Sequence, residues 1–577
     1  MPGPTPPDWT HHKPALWADY QVAEQDIVHR LLAQGAPTGA QRARIQDTAH
    51  ALVASVRESG EAGGLIAPFL QEYGLSNREG VILMCLAEAM LRVPDPLTVD
   101  ALIEDKVTTA EWEQHLGGSP SGLVNLSTRS LMFTSRVLDL GEGGGLLRAA
   151  HDMVRRMGQP LIRTAVREAM KILGHQFVLG RTIGEALEVA AKRSQYRYSF
   201  DMLGEAALTQ ADADRYFKAY SAAINAVGRA GSVDADVIGN NGVSVKLSAL
   251  HPRLEFAQRD RVLAELTPRL IDLARLAAGH NIGLTVDAEE ADRLDLTMDI
   301  LGRVCAAPDL KGWHGFGFVV QAYQKRAWRL IDLLTDMARG ADRRLMLRMV
   351  KGAYWDSEIK RCQEQGLADY PVFTRKVNSD VSYIAATGKA LSRPDAFYVQ
   401  VATHNAHSAA AALVLADGKD FEFQRLHGMG EVLHDRLMAD HGRPCRIYAP
   451  VGAHEDLLPY LVRRLLENGA NSSFVNQIED DAIPVEKIVR DPFAVVEGHT
   501  AAANPRIPLP RDLYGNVRVN ARGIDLADAQ AVDHLYGAMA LPAVAGRAAA
   551  PILGGRTTEA SGGEAVFDPA DHARQVG

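Results

Sequence analysis

Residues 345–355, LMLRMVKGAYW, decide the fold of this chain. A run of apolar residues, interrupted by Arg348, leads through Lys351 into Gly352-Ala353 and then two aromatics. Five to six β-favouring residues, a small-residue turn and a helix-compatible stretch make one strand–loop–helix unit. Seven similar units flank it. The strand candidates are RYSFDML, VSVKLS, IGLTVDA, FGFVVQAY, LMLRMVK, FYVQVAT, FEFQRLH and CRIYAPV, all between residues 196 and 450. Alternating strand and helix implies a parallel sheet. Eight units over about 280 residues fit a closed (βα)₈ TIM barrel. An open doubly wound sheet would announce itself by a Gly-rich loop after its first strand, and none follows RYSFDML.

Outward from the barrel, the reading predicts an N-terminal arm with helices over 1–75, a helical domain over 76–195, the barrel over 196–480, and a linker over 481–577. Ser76-Asn77-Arg78-Glu79 is a capping box opening GVILMCLAEAMLRV. Gly141-Glu142-Gly143-Gly144-Gly145 misses GxGxxG spacing and reads as a turn. The end, from LPAVAGRAAAP onward, is Ala-, Gly- and Pro-rich without a core pattern.

Composition excludes several classes. The chain has 577 residues, 47% of them apolar and 23% charged, as in ordinary globular proteins. A net charge of -9 argues against a nucleic-acid partner. There is no signal-peptide core, and no apolar run reaches the roughly 18 residues of a membrane span. Cys85, Cys305, Cys362 and Cys445 show no CxxC spacing, which suits a reducing cytoplasm and offers no metal site.

Barrel active sites lie at the C-terminal strand ends. Those ends supply Asp201, Lys246, Asp287, Gln321, Arg348 with Lys351, Thr403-His404-Asn405, Gln424 and Tyr448. Polar groups recurring in phase on apolar strands cost several kcal/mol each unless paired or ligand-bound. Singly, each has a plainer reading: Lys246 and Asp287 as an ion pair capping the barrel, His404 and His407 as hydrogen-bonded histidines, Tyr354-Trp355 as an aromatic anchor after a glycine turn. The adjacent Arg463 and Arg464 lie on a helix with an apolar Leu face. On a helix running down the outside of the barrel, Arg463 would sit roughly 12 Å from its N-terminus. The helix is therefore predicted to cross the barrel mouth.

Taken in order, SFDMLGEAALT, SVKLSALHPR, TVDAEEADRLDLTMDI, GFVVQAYQKRA, LRMVKGAYWDSEIKRCQEQG, YPVFTRKVNSDVSY, ATHNAHS, EFQRLHGMGE and YAPVGAHEDLLPYLVRRLLENGANSSFVNQI resemble the proline dehydrogenase portion of the proline utilization A family. The resemblance implies an FAD-bearing (βα)₈ barrel whose last helix covers the mouth. It implies oxidation of L-proline to Δ1-pyrroline-5-carboxylate, with hydride passing from proline C5 to flavin N5 and electrons going on to a membrane quinone through peripheral membrane contact. It assigns Arg463, Arg464 and Lys246 to the substrate carboxylate, Tyr448 to the proline ring, and Asp287 to a place beside Lys246 and the amine. Gln321 and Arg348 would contact the isoalloxazine. Val350, Lys351, Gly352 and Ala353 would line the flavin and its phosphates. Tyr354 and Trp355 would flank the dinucleotide. Thr403, His404 and Asn405 would meet the pyrophosphate or ribityl chain, with Gln424 and Glu467 as further cofactor contacts.

The N-terminus shows no counterpart of the family's ribbon-helix-helix domain, so no repressor role is expected. AVFDPADHARQVG resembles the start of an aldehyde dehydrogenase domain. Only the first reaction is therefore expected, with a partner aldehyde dehydrogenase or a homo-oligomer as possible associations. Two rivals remain. A metal-dependent barrel hydrolase would use His404, His407, His427 and Asp287, but RYSFDML and CRIYAPV lack its usual ligands. A non-catalytic barrel scaffold would have no need of the Lys246, Asp287, Arg348, Arg463 and Arg464 set.

Overall fold

The computed structural model describes residues 9–58, 177–232, 235–452, 477–478, 483–539, 548–558 and 563–577. The eight expected strands form and close on themselves. They are β1 Arg197–Asp201, β2 Gly242–Val245, β3 Gly283–Val286, β4 Phe316–Gln321, β5 Leu345–Val350, β6 Phe397–Ala402, β7 Phe421–Leu426 and β8 Cys445–Pro450. Each pairs in parallel with the next, and β1 pairs with β8. This is the (βα)₈ barrel expected from the strand count.

Alternation along each strand sorts two buried faces. Phe200, Val243, Val245, Leu284, Val286, Leu347, Val399, Phe423 and Ile447 are all buried and join one continuous core. The opposite parity carries polar groups instead, among them Ser199, Ser244, Arg348, Gln400, Glu422 and Arg446, all buried. At the N-terminal end of the barrel Glu422 accepts from Arg446 Nε at 2.6 Å and Nη2 at 3.1 Å, and from Arg197 Nη1 at 3.1 Å. Burial works against this carboxylate's charge, but the two guanidinium groups outweigh it and hold its pKa below the usual range. That end is plugged. The C-terminal end is left for chemistry.

Local signals start the surrounding helices. Thr209 and Asp212 form a capping box on the helix Gln210–Ala230. Asn405 caps Ala406–Ala416 through its side chain, which accepts from the Ser408 N–H at 2.9 Å.

The segments outside the barrel are less separate than their composition suggests. Glu24, on the arm helix Glu24–Gln34, is buried and accepts from the Thr374 N–H at 3.0 Å. The arm helix Gly39–Glu58 sends Arg57 to the Ile483 carbonyl at 2.8 Å. In the stretch read as a linker, the Pro508 carbonyl accepts from Tyr370 at 2.6 Å and the Ala502 carbonyl from Asn378 at 2.9 Å. Asp525 is buried against Tyr20 and Arg361. Within 483–528, Ala502, Pro508 and Asp525 thus make specific contacts with the barrel and the arm. Ile552, Leu553, Val566 and Phe567, in two terminal hairpins, stay exposed. The Ser76 capping box, the Gly141–Gly145 run and Cys85 lie outside the described residues.

Candidate active site

β1, β2, β3, β5 and β8 bring one charged cluster together near the C-terminal mouth. Lys246 directly follows β2. Its Nζ lies 2.8 Å from Asp201 Oδ2 and 3.4 Å from Asp287 Oδ2. The Tyr448 hydroxyl lies 2.6 Å from each of these same oxygens and shares its one proton with them. Arg348 Nη1 donates to Asp287 Oδ1 at 2.7 Å, while its Nη2 donates to Ser244 Oγ at 2.9 Å and Ser199 Oγ at 3.1 Å. The guanidinium sits 5.0 Å over the Tyr448 ring. Asp201, Lys246, Asp287 and Arg348 are all buried.

The charges decide the protonation states. Burial pulls the Lys246 pKa down, but Asp201, Tyr448 and Asp287 outweigh it and raise it well above the ordinary value. Burial, then Asp201 and Asp287, drive the Tyr448 phenol well up. Both groups keep their protons at neutral pH.

Arg348 differs from its expected place. β5 continues to Val350, so Arg348 is not the last strand residue but points into the barrel beneath the mouth. Two additional hydrogen-bonded residues follow from that depth. Ser199 and Ser244 were missed by a reading confined to strand ends, although their inward parity with Asp201 and Lys246 was visible. Asp201 was among the strand-end residues without an assigned role; it now sits at the centre of the cluster.

Around this centre, Gln321 Nε2 donates to the Glu289 carbonyl at 2.7 Å, and its Oε1 accepts from the Ala353 N–H at 3.4 Å. Lys351 pairs with Asp380. Gly352 has φ +144°, and a Cβ there would meet the Tyr323 ring at 2.4 Å. Only glycine suits that turn. Trp355 Nε1 donates to the Phe373 carbonyl at 2.8 Å and packs beside Tyr323 and Tyr370, the anchor that composition alone had allowed. Thr403 Oγ1 accepts from the Asn405 N–H at 3.1 Å, and His404 Nε2 from the Leu426 N–H at 3.2 Å. Val350 ends β5, and Ala353 and Tyr354 lie along the loop that follows it. Among the described residues, Arg348 Nε, Gln400 Oε1 and Gln424 Oε1 are buried without a hydrogen-bond partner. Arg463, Arg464 and Glu467 lie outside the described residues.

A hydrolase-type metal site is not what these side chains form. Asp287 is taken up by Lys246, Arg348 and Tyr448. Among the described residues, the ligand-type side chains that do converge are His11, His12 and Asp336, outside the barrel.

Residues 186–477 match the family model described as proline dehydrogenase. The chain belongs to the proline dehydrogenase family. A second model, described as the DNA-binding domain of proline dehydrogenase, matches residues 65–177. All of that match except Phe177 lies outside the described residues. It stands beside the expectation of no nucleic-acid partner, which rested on a whole-chain charge that averages over segments.

Among relatives, bifunctional protein PutA of Salmonella typhimurium is 48% identical over 559 residues, covering 93% of this chain and 42% of the relative. Bifunctional protein PutA of Rhizobium meliloti is 44% identical, covering 98% of this chain and 46% of its own length. The chain thus spans under half the length of these curated proteins. A crystal structure of a Bradyrhizobium japonicum proline utilization A point mutant superposes with TM-score 0.71 at 48% identity, over 90% of this chain and 52% of that one. A bifunctional proline utilization A structure gives TM-score 0.72 at 46% identity, over 92% and 54%. Among the described residues of this proline dehydrogenase family member, no helix is long and apolar enough to cross a membrane.

Proposed function

We propose that this chain oxidises L-proline to Δ1-pyrroline-5-carboxylate with FAD as its cofactor. The observation that carries the reading is the cluster of buried Lys246, Asp287 and Arg348 with Tyr448 at the mouth of a proline dehydrogenase family barrel.

The residues fit a flavin. Arg348 Nε is an unused buried donor, and Gln400 Oε1 and Gln424 Oε1 are unused buried acceptors on neighbouring strands. Buried polar atoms are seldom left so, and a planar ring with both donors and acceptors on its edge would satisfy them. Gly352 lets backbone approach the cofactor closely, with Val350, Lys351 and Ala353 beside it. Thr403, His404 and Asn405 lie at the N-terminus of Ala406–Ala416, where a pyrophosphate is favoured. Gln321 joins this set, and Tyr354, Trp355 and Glu467 complete it. When bound, FAD supplies the two-electron acceptor for the C–N bond.

The chain's own groups orient and neutralise the substrate. Lys246, with Arg463 and Arg464, holds the carboxylate, and guanidinium suits that task by bidentate geometry. Tyr448 packs on the five-membered ring. Lys246 and Tyr448 stay protonated, with the Asp201 and Asp287 carboxyl groups beside them. Fixing one end of so small a molecule fixes the other, which is catalysis by proximity. Electrons then pass to a membrane quinone at the cytoplasmic face, and once water has opened the cyclic imine to its aldehyde, an aldehyde dehydrogenase consumes it.

The purified protein should show a flavin spectrum that bleaches anaerobically on adding L-proline. Arg464→Met should weaken proline binding severely while FAD stays bound. A protein without flavin, or a flavin indifferent to proline, ends this reading; unchanged proline affinity in the variant removes Arg464 from the site.

A further inference from the structure

Asp287 opens an irregular loop, residues 287–290, between β3 and the short turn that begins at Ala291. Its place is therefore set by what holds it. Asp287 itself is tied by its N–H to the Val245 carbonyl at 2.9 Å. Midway, the Glu289 carbonyl accepts from Gln321 at 2.7 Å, and its carboxylate accepts from the Ser248 N–H at 3.0 Å. At the far end Ala291 is fully buried, and both its backbone polar atoms are gripped by side chains. Its N–H donates to Glu358 Oε1 at 2.6 Å, and its carbonyl accepts from Arg326 Nη2.

Those two side chains come from different places. Glu358 stands in Trp355–Gln365, the helix that follows the glycine loop after β5. Arg326 immediately precedes Ala327–Gly340, the helix after β4, and also donates to Asp295 Oδ2 at 2.7 Å. Both are buried, and each leaves one polar atom unpartnered: Glu358 Oε2 and Arg326 Nε. A half-satisfied buried carboxyl costs stability. The return visible here is a fixed Ala291.

The grip extends to the chain's outer segments. Arg361, one turn beyond Glu358, reaches Asp292 Oδ2 at 3.3 Å and Asp525 Oδ1 at 2.9 Å. Asp525 also accepts from the Tyr20 hydroxyl at 3.1 Å, and Arg326 lies 4.3 Å over the Tyr20 ring. The arm, the C-terminal segment and two barrel helices thus meet behind one loop.

We infer that Glu358 and Arg326 are positioning residues that clamp Ala291 and so place Asp287 against Lys246 and Arg348, with Tyr20, Arg361 and Asp525 bracing the clamp. The inference rests on the proline dehydrogenase reading for its catalytic consequence. The clamp is expected to respond to pH. Burial, with Asp292 and Glu290 nearby, raises the Glu358 pKa to about 7, although the Ala291 N–H and Arg361 oppose it. Tyr323 from the loop after β4 and Cys362 on its own helix are the other titratable neighbours. A carboxylate accepts more strongly than a protonated carboxyl, so the clamp tightens above neutrality.

The test compares wild type, Glu358→Ala and Glu358→Gln by amide hydrogen exchange of the peptide covering 287–293, by flavin content, and by proline kinetics against pH. Glu358→Ala should speed exchange in that peptide and raise KM for L-proline about tenfold with FAD retained. Glu358→Gln keeps an acceptor for Ala291; it should restore slow exchange and low KM but lose the wild-type inflection of kcat/KM near neutrality. Unchanged exchange in Glu358→Ala overturns the clamp. Faster exchange with unchanged KM and pH profile overturns the positioning role. Should wild type itself fail to bleach with proline, the functional reading falls, and the exchange comparison still decides the clamp.

Discussion

Arg348 and Asp287 meet across the barrel, Nη1 to Oδ1 at 2.7 Å, from β5 to the end of β3. The pair is buried, and Asp287 also faces Lys246 and Tyr448 through its other oxygen. One carboxylate thus organises two cations and a phenol. Its position decides theirs.

Asp287→Ala should therefore do two things at once. Removing one partner of a buried ion pair typically costs 3–5 kcal/mol because charge is left uncompensated. The chemical denaturation midpoint should fall accordingly. Proline-dependent flavin bleaching should be lost as well, since Arg348 loses its carboxylate partner and Lys246 keeps only Asp201. A variant of wild-type stability and turnover would show that the cluster closes the barrel and nothing more.

Gly352 allows a sharper separation of cofactor from fold. Its φ of +144° is strained for any other residue, and an added Cβ would strike the Tyr323 ring at 2.4 Å. Gly352→Val should displace the loop after β5 and lower flavin content several-fold. The exposed position predicts a modest effect on the core, a loss of about 1–3 kcal/mol. Flavin-to-protein absorbance and the thermal midpoint, measured on one preparation, read the two effects apart.

How much of this was legible beforehand follows from the same physics. The eight strands were, because short β-favouring runs recur between helix-compatible stretches at a regular spacing. Lys246, Asp287 and Tyr448 were, because charge and hydroxyl at a strand end stand out against such runs. Arg348 was found but set one residue pair too near the mouth, since nothing in LMLRMVK marks where pairing stops. The contacts made from within 483–528 were not legible. They are single ones such as Tyr20 to Asp525, separated by hundreds of residues and without periodicity. Glu24 and Thr374 meet in the same way. Isolated long-range hydrogen bonds leave no pattern in composition.

The opposite end of the barrel offers a control on the active-site argument. Arg446 makes two bonds to Glu422 and donates to the Tyr198, Asn240 and Ile238 backbone carbonyls. Arg446→Met would leave Glu422 with Arg197 as its remaining charged partner. Unfolding free energy should drop by about 3–5 kcal/mol. Below the unfolding transition, KM for proline should stay near the wild-type value. A large KM change at full folding would mean that the two ends of the barrel interior are coupled.

Buried neutral histidines should make the fold sensitive to acid. Burial drives the pKa of His434 down to about 3, and those of His407 and His427 down to about 4. In the unfolded chain a histidine titrates near 6.5. Between these limits the unfolded state binds protons that the folded state refuses, so stability falls as pH falls. The contribution is fully present above about 6.5 and is lost progressively toward about 4. For His434, fully buried with its Nδ1 2.8 Å from the Gly430 carbonyl, the loss by pH 4 is on the order of 3 kcal/mol. Glu358 acts oppositely, because a carboxyl raised to about 7 destabilises the fold as pH climbs from its ordinary value toward neutrality. Thermal midpoints should accordingly decline on the acid side, and His434→Gln should flatten that limb while Glu358→Gln steepens the net slope between pH 5 and 7. A midpoint independent of pH from 7 down to 4 would mean these imidazoles reach water in the folded protein.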